Sequence, residues 1–216
     1  MDGPTIQARV YAGYAKAAKV IGLSFSLYRP LTATAPLGNY VGSLKAALDS
    51  TPDYRFKKPN EYGDATWYAM IDDASVQAGD YIANSSGTYF IAGKQFLLPV
   101  IAVECNRAVK ITRQQAQTGV GAVGYGGNVP SQEVDVLGAP GAFWPASILF
   151  GGKSQQGVGL PAGVKNVGWR ILLPPSVPIT IKAGDIATDD LGRRYAIDGA
   201  ELTDLGWRIN AQEVHS

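Results

Sequence analysis

Histidine and cysteine are nearly missing from this sequence, with His215 and Cys105 occurring once each. One cysteine excludes an internal disulfide and fits synthesis in a reducing compartment. Its setting, Val103-Glu104-Cys105-Asn106, reads as strand, so Cys105 is expected as a buried, inert thiol. A lone histidine beside the last residue leaves Ser–His and Cys–His nucleophilic catalysis, and the usual zinc sites, without their ligands. Charge of one sign is also missing: 19 Lys and Arg against 18 Asp and Glu leave a net charge of +1. Dedicated nucleic-acid binding needs a basic excess to neutralise phosphates, so that class is disfavoured. The longest apolar run, Phe96 to Val103, contains Pro99 and is far too short to span a membrane. The opening Met1-Asp2-Gly3-Pro4 has neither a basic nor an apolar leader segment, and synthesis in the cytoplasm is expected.

Hydrophobic residues, by contrast, make up 46% of the 216 positions, enough for a core, while charged residues are only 17%. Glycine (26) and proline (13) are frequent, which predicts many turns and little helix. The helix that is predicted covers residues 4–22: Asp2 caps it, Pro4 suits an early position, and Ile6, Val10, Tyr14, Ala17 and Ile21 share one face before Gly22 stops it. Phe25 to Leu31 then reads as strand, Ser43 to Leu48 as a short helical turn, and residues 51–64 as polar linker. From Trp67 onward the period is two, with short strands separated by turn signals, the pattern of a small barrel or sandwich. Residues 114–141 are rich in Gly, Gln, Val and Pro and read as an arm; strands resume over 142–211. The expected organisation is a helix and extended linker (1–64), a first β module (65–113), a Gly-rich arm (114–141) and a second β module (142–216), mainly β throughout.

An internal duplication is the most informative feature. Trp67, then Ala78-Gly79-Asp80, Gly87 and Tyr89-Phe90-Ile91-Ala92-Gly93 recur in order as Trp169, Ala183-Gly184-Asp185, Gly192 and Tyr195-Ala196-Ile197-Asp198-Gly199. Asn106 and Asn210 follow at similar distances. Trp, Tyr and Ile at alternating positions fill one face of a sheet. The glycines permit tight turns, and Asp80 and Asp185 are expected as turn-forming residues that bond nearby amides. The other faces differ: Tyr68, Met70, Phe90 and Ala92 are apolar, whereas Arg170, Arg194, Asp198, Arg208 and Asn210 are polar. The first module is therefore expected to be covered on both sides, by the helix or a neighbouring subunit, and Tyr68, Met70, Phe90 and Tyr125 are candidate subunit-interface residues.

Candidate chemistry fails on inspection. Gly119-Val120-Gly121-Ala122-Val123-Gly124 matches a dinucleotide-binding pattern, but Tyr125-Gly126-Gly127-Asn128-Val129-Pro130 cannot open the helix that pattern requires. Asp72-Asp73 and Asp189-Asp190 are read as solvated turn residues, with a divalent-metal site as the other reading. Trp144 and Trp207 are read as core, with a carbohydrate-stacking platform as the other reading. No catalytic, cofactor-binding or metal-binding residues are assigned, and no cofactor is expected.

The run Trp67-Tyr68-Ala69, Gly79-Asp80-Tyr81-Ile82, Gly87-Thr88-Tyr89-Phe90-Ile91-Ala92, Leu98-Pro99-Val100, Val103-Glu104-Cys105-Asn106-Arg107 and Ile111-Thr112-Arg113 resembles proteins encoded among the structural genes of tailed phages and prophages. The opening Ile6 to Ala18 with Leu27-Tyr28-Arg29-Pro30 belongs to the same resemblance, and Ile181 to Asp185 with Arg194-Tyr195 and Gly206-Trp207 is similar to small β-barrel head-to-tail joining proteins. The resemblance implies a non-enzymatic virion protein made in the bacterial cytoplasm, one of several copies in a ring at the neck or collar. Its implied partners are other copies, a portal or adaptor, and a tail tube or terminator, with DNA passing through a channel and no membrane. Alternatives are a baseplate, tail-hub or decoration protein, and, in another class, a carbohydrate-binding β module.

Overall fold

A computed structural model describes residues 2–56, 59–61, 63–96, 98–114, 133–151 and 168–214. The helix α1 (Gly3–Ile21) forms as its caps dictate: Asp2 Oδ1 accepts from Thr5 N at 3.2 Å, and Gly22 N donates to Ala18 O at 2.8 Å. Mainly β structure follows, in two barrels behind this one helix.

The first barrel consists of β1 (Leu23–Tyr28), β2 (Tyr40–Asp49), β3 (Thr66–Ile71), β4 (Tyr81–Asn84), β5 (Gly87–Gly93) and β6 (Val100–Cys105). Its strand order is β1-β2-β3-β6-β5-β4, and β4 pairs back onto β1 to close it. The second is built from β7 (Arg107–Gln114), β8 (Glu133–Leu137), β9 (Trp144–Phe150), β10 (Gly168–Leu173), β11 (Ile186–Asp189), β12 (Arg194–Thr203) and β13 (Gly206–Val214). Here β7-β9-β10-β13-β12-β11 is the same circuit, again closed where β11 pairs with β7. In place of the continuous β2, the second barrel has β8 and β9, separated by a kink at which Ala139 and Ala142 form an isolated bridge.

The registers place the duplicated residues in equivalent positions. Trp67 sits opposite Ala102 and Trp169 opposite Ala211. Tyr89 pairs with Ile82, and Tyr195 with Ala187. Each barrel has a β-bulge at one and the same point, between Ile91 and Gly93 and between Ile197 and Gly199. A bulge bends a strand sharply, which is how a small sheet turns the corner to close. Asn106 and Asn210 are not equivalent: Asn210 lies within β13, whereas Asn106 lies between barrels and exchanges two 2.8 Å hydrogen bonds with the Ile148 backbone.

Three expectations are corrected. Ser43 to Leu48 is part of strand β2, because Leu44 and Ala46 alternate into the barrel while Ala47 turns out toward α1. The first barrel begins at Leu23, since β1 and β2 are needed to close it, and β7 belongs to the second barrel. Residues 133–141 of the expected arm are strand β8 and the kink after it, the Glu133-Val134-Asp135-Val136 alternation pairing with β7; the remainder of the arm, Tyr125 and the Gly119 to Gly124 pattern lie outside the described residues.

Packing explains why the first module is apolar on both faces. Phe25, Leu27, Leu44, Ile82, Ile91 and their neighbours fill its interior. Outside, α1 covers β2 and β3, with Ala18, Ala47 and Met70 buried together and the Tyr14 ring edge-on to Tyr54 at 5.1 Å. The second barrel covers Tyr81, Phe90, Ala92 and Val103 on β4, β5 and β6. Met70 and Phe90, expected at a subunit interface, are thus buried within the chain, under the helix and between the barrels respectively. Tyr68 is half-buried. The polar residues Arg170, Arg194, Asp198, Arg208 and Asn210 are all exposed.

Candidate assembly surface and the duplicated clasp

Each barrel is fastened by one arginine that the repeat pattern misses. Arg29, one residue after β1, places Nε 2.8 Å from Asp80 Oδ1 and Nη2 2.8 Å from Asp80 Oδ2, and Nη2 also donates to Ser75 O at 2.9 Å. Arg113 in β7 repeats this with Asp185 at 2.7 and 2.8 Å and with Thr180 O at 2.9 Å. Each aspartate also accepts from the amide three residues before it, Gln77 N at 2.8 Å and Lys182 N at 2.9 Å. The turn itself matches: Gly79 and Gly184 have φ of 94° and 89°, a region that favours glycine. Their amides donate to Ile91 O and Ile197 O, and the Asp80 and Asp185 carbonyls accept from Ile91 N and Ile197 N. So Asp80 and Asp185 do form turns, as expected, but their larger role is to tie the turn before β4 or β11 to the end of β1 or β7. Both carboxylates are buried, and a fork-shaped guanidinium satisfies both oxygens of each. The hydrogen bond to Asp80 raises the Arg29 pKa, as that to Asp185 does for Arg113. Burial by itself would raise the Asp185 carboxyl; the Arg113 hydrogen bonds and the Lys182 amide outweigh it and hold Asp185 below its ordinary value. The sequence signal for these arginines is the triplet Leu27-Tyr28-Arg29 and its counterpart Ile111-Thr112-Arg113 ahead of each repeat.

Asp189 is a second buried hub, in the second barrel alone. Its Oδ1 accepts from Leu191 N and Arg193 N, and its Oδ2 from Arg193 Nε at 2.9 Å and Tyr195 OH at 3.2 Å. Asp189 was expected as a solvated turn residue, and is instead buried because these donors replace water. Desolvation is countered by the Arg193 amide and side chain, leaving Asp189 below its ordinary value; burial and the Asp189 charge push the Tyr195 phenol up to about 12. Asp190 is exposed and pairs with Arg107 Nη2 at 2.9 Å. Asp72 and Asp73 act in turns, accepting from Lys45 N and Ser75 N at 2.7 Å each. Among the described residues no group of three or more His, Cys, Asp or Glu is placed to hold a metal ion.

The tryptophans are structural. Trp144 is fully buried and donates from Nε1 to Ala33 O at 2.7 Å, a carbonyl that also accepts from Gly138 N at 2.8 Å. Tyr81 OH donates to Pro145 O at 2.8 Å and Ser176 Oγ to Gly79 O at 2.7 Å, so polar bonds as well as apolar contact join the barrels. Trp67 Nε1 donates to Glu104 Oε2 at 2.9 Å. Trp169 is edge-on to Tyr195, with the Arg193 guanidinium over its ring. Trp207 is 6% exposed. Neither Trp144 nor Trp207 presents a ring face for a sugar. Cys105 is only partly accessible, and burial pushes its thiol up, as befits an inert core cysteine.

Large apolar side chains stand out where α1 meets β1, with Val20 84%, Ile21 54% and Leu23 58% exposed. A cavity of about 530 Å³ opens between the barrels, walled by Phe90, Ile101, Leu172, Leu205 and Trp207. A smaller one, about 330 Å³, separates α1 from the first barrel, and Lys94 crosses its edge to the carbonyls of Ala74 and Val76 at 2.9 and 3.1 Å. No helix among the described residues is long and apolar enough to cross a membrane. No protein-family model, no curated protein and no solved structure matches the chain.

Proposed function

We propose that this chain is a structural component of a tailed-phage particle, one of several copies that surround the DNA passage at the head-to-tail junction and dock onto portal, adaptor or tail proteins. The observation that carries the reading is the division of labour among its side chains. The repeated Trp, Tyr, Arg and Asp residues are all spent on closing and joining two barrels, with the carboxylates that might do chemistry locked by arginine. The surface retains protruding apolar residues at Val20, Ile21 and Leu23, the feature expected of a protein that docks. A net charge of +1 suits a wall along which DNA slides without being held. Two barrels joined by a shared apolar core and by the Tyr81, Trp144 and Ser176 hydrogen bonds suit a subunit that keeps its shape while neighbours and DNA press on it.

The test is physical. The purified protein is imaged by negative-stain electron microscopy, and purified particles of the parent phage are analysed by mass spectrometry. Recovery of the chain from particles at several copies each, in the neck fraction after heads and tails are separated, supports the reading. Absence from washed particles overturns it; presence only in the distal tail fraction replaces the neck with a baseplate position.

A further inference from the structure

We infer that the outer side of α1 is the surface this chain turns toward DNA, meeting the phosphate backbone through Arg9, Lys16, Lys19 and Lys45. This rests on the proposed position around a DNA passage and names the element that faces it. The net charge of +1 conceals a strong segregation. Residues 3–48 contain Arg9, Lys16, Lys19, Arg29 and Lys45 and no Asp or Glu, whereas the rest of the chain holds 14 basic residues and all 18 acidic ones. Asymmetry of this kind points to a polyanionic partner. Arg29 is committed to Asp80, which leaves four cations.

Folding brings the four to one side. Tyr11, Tyr14 and Ala18, at steps of three and four, share the side of α1 that meets the barrel: Ala18 is buried beside Ala47 and Met70, the Tyr14 ring packs on Tyr54, and Tyr11 lines the cavity beneath the helix. Arg9, Lys16 and Lys19, at steps of seven and three, share the outer side, and all three are exposed. Lys45 is exposed as well and lies two residues before Ala47, hence on the face of β2 against which α1 packs.

The carboxylates on the segments beside α1 are engaged elsewhere. Asp49 is buried and accepts from the Thr51 and Phe56 amides, Asp53 pairs with Arg55, and Asp72 and Asp73 accept from the Lys45 and Ser75 amides. Other surface cations are matched, Lys110 by Asp135, Arg194 by Glu133 and Arg208 by Glu201. A cationic side set apart from the acidic residues fits a dense array of phosphates, one per ~1.7 Å of duplex axis. A lipid surface fits less well. The apolar side of α1 is docked on the barrel and cannot sink into a bilayer, and the protruding Val20, Ile21 and Leu23 are confined to the end of the helix. Four cations per copy make a weak contact that ignores base sequence, the kind along which DNA slides.

The experiment measures fluorescence anisotropy of a short labelled DNA duplex with the full chain over a salt series. Log affinity is expected to fall against log salt with a slope of about −3 to −4, the value for four neutralised phosphates. Lys16→Gln and Lys19→Gln together, with folding checked by circular dichroism, are expected to make the slope shallower by about 2 and to weaken binding at low salt by at least about tenfold. Arg170→Gln and Lys182→Gln together, which remove two exposed cations of the second barrel, are expected to leave the slope unchanged. No binding at low salt, or equal losses from the two pairs of substitutions, would overturn the assignment. Flotation with phosphatidylserine vesicles, abolished by Lys16→Gln and Lys19→Gln while DNA binding is unaffected, would overturn it in favour of a lipid surface. Recovery from phage particles, measured separately, tests the virion role independently of these results.

Discussion

Replacing Arg29 by methionine keeps much of the aliphatic stem and removes the fork that holds Asp80. Three hydrogen bonds go, two to the carboxylate and one to Ser75 O, and the Asp80 side chain, 2% exposed, is left with the Gln77 amide. Deleting one partner of a buried pair costs roughly 3–5 kcal/mol. The Arg29 side chain is 29% exposed, so solvent already screens part of the interaction, and about 2–4 kcal/mol is the reasoned loss. For a chain of this size that lowers Tm by about 5–15 °C. The second clasp supplies an internal repeat of the measurement: Arg113→Met removes the same three bonds from Asp185. The decisive form is a double-mutant cycle, Arg29→Met against Asp80→Asn, by urea unfolding at neutral pH monitored by circular dichroism. A coupling of at least about 1 kcal/mol is expected for groups in direct contact. An Arg29→Met variant within about 0.5 kcal/mol of wild type, the range of an ordinary surface change, would refute the claim that the clasp holds the barrel closed.

Acid should weaken the second barrel. Asp185 and Asp189 both titrate below their ordinary value in the folded chain, so the unfolded state binds protons first; their stabilisation is fully present above the unfolded carboxylate value of ~3.9 and is lost as pH falls through the folded values. A Tm-versus-pH series should show this loss, and Arg113→Met should flatten it. Gly79 and Gly184 are twins in φ but not in surroundings: an added Cβ at Gly79 meets Ser176 Cβ at 2.5 Å, whereas at Gly184 it meets nothing. Gly184→Ala should therefore cost about 1–2 kcal/mol from backbone strain alone, and Gly79→Ala clearly more, read as Tm; equal losses would contradict the described contact between Gly79 and Ser176. Cys105, half-buried and with its thiol raised, should react slowly with a disulfide reagent in the folded protein and fully in concentrated denaturant.

The duplicated pattern of Trp, Ala-Gly-Asp, Gly and Tyr-x-Ile-x-Gly is local information, and it was legible for that reason. Alternation assigns each side chain to a face of its own strand, and a glycine marks a turn wherever the strand happens to pair. The helix caps at Asp2 and Gly22 were legible on the same ground. Ser43 to Leu48 misled because its alanines mask the period of two, and only pairing with β1 and β3 fixed it as strand. Closure decided the rest. Arg29 reaches an aspartate 51 residues away and Arg113 one 72 away, contacts that exist only once β4 has returned to β1 and β11 to β7. Met70 and Phe90 announced by their apolar character that something covers them; that α1 covers one and the second barrel the other depends on how separately folded surfaces meet, which no local pattern encodes.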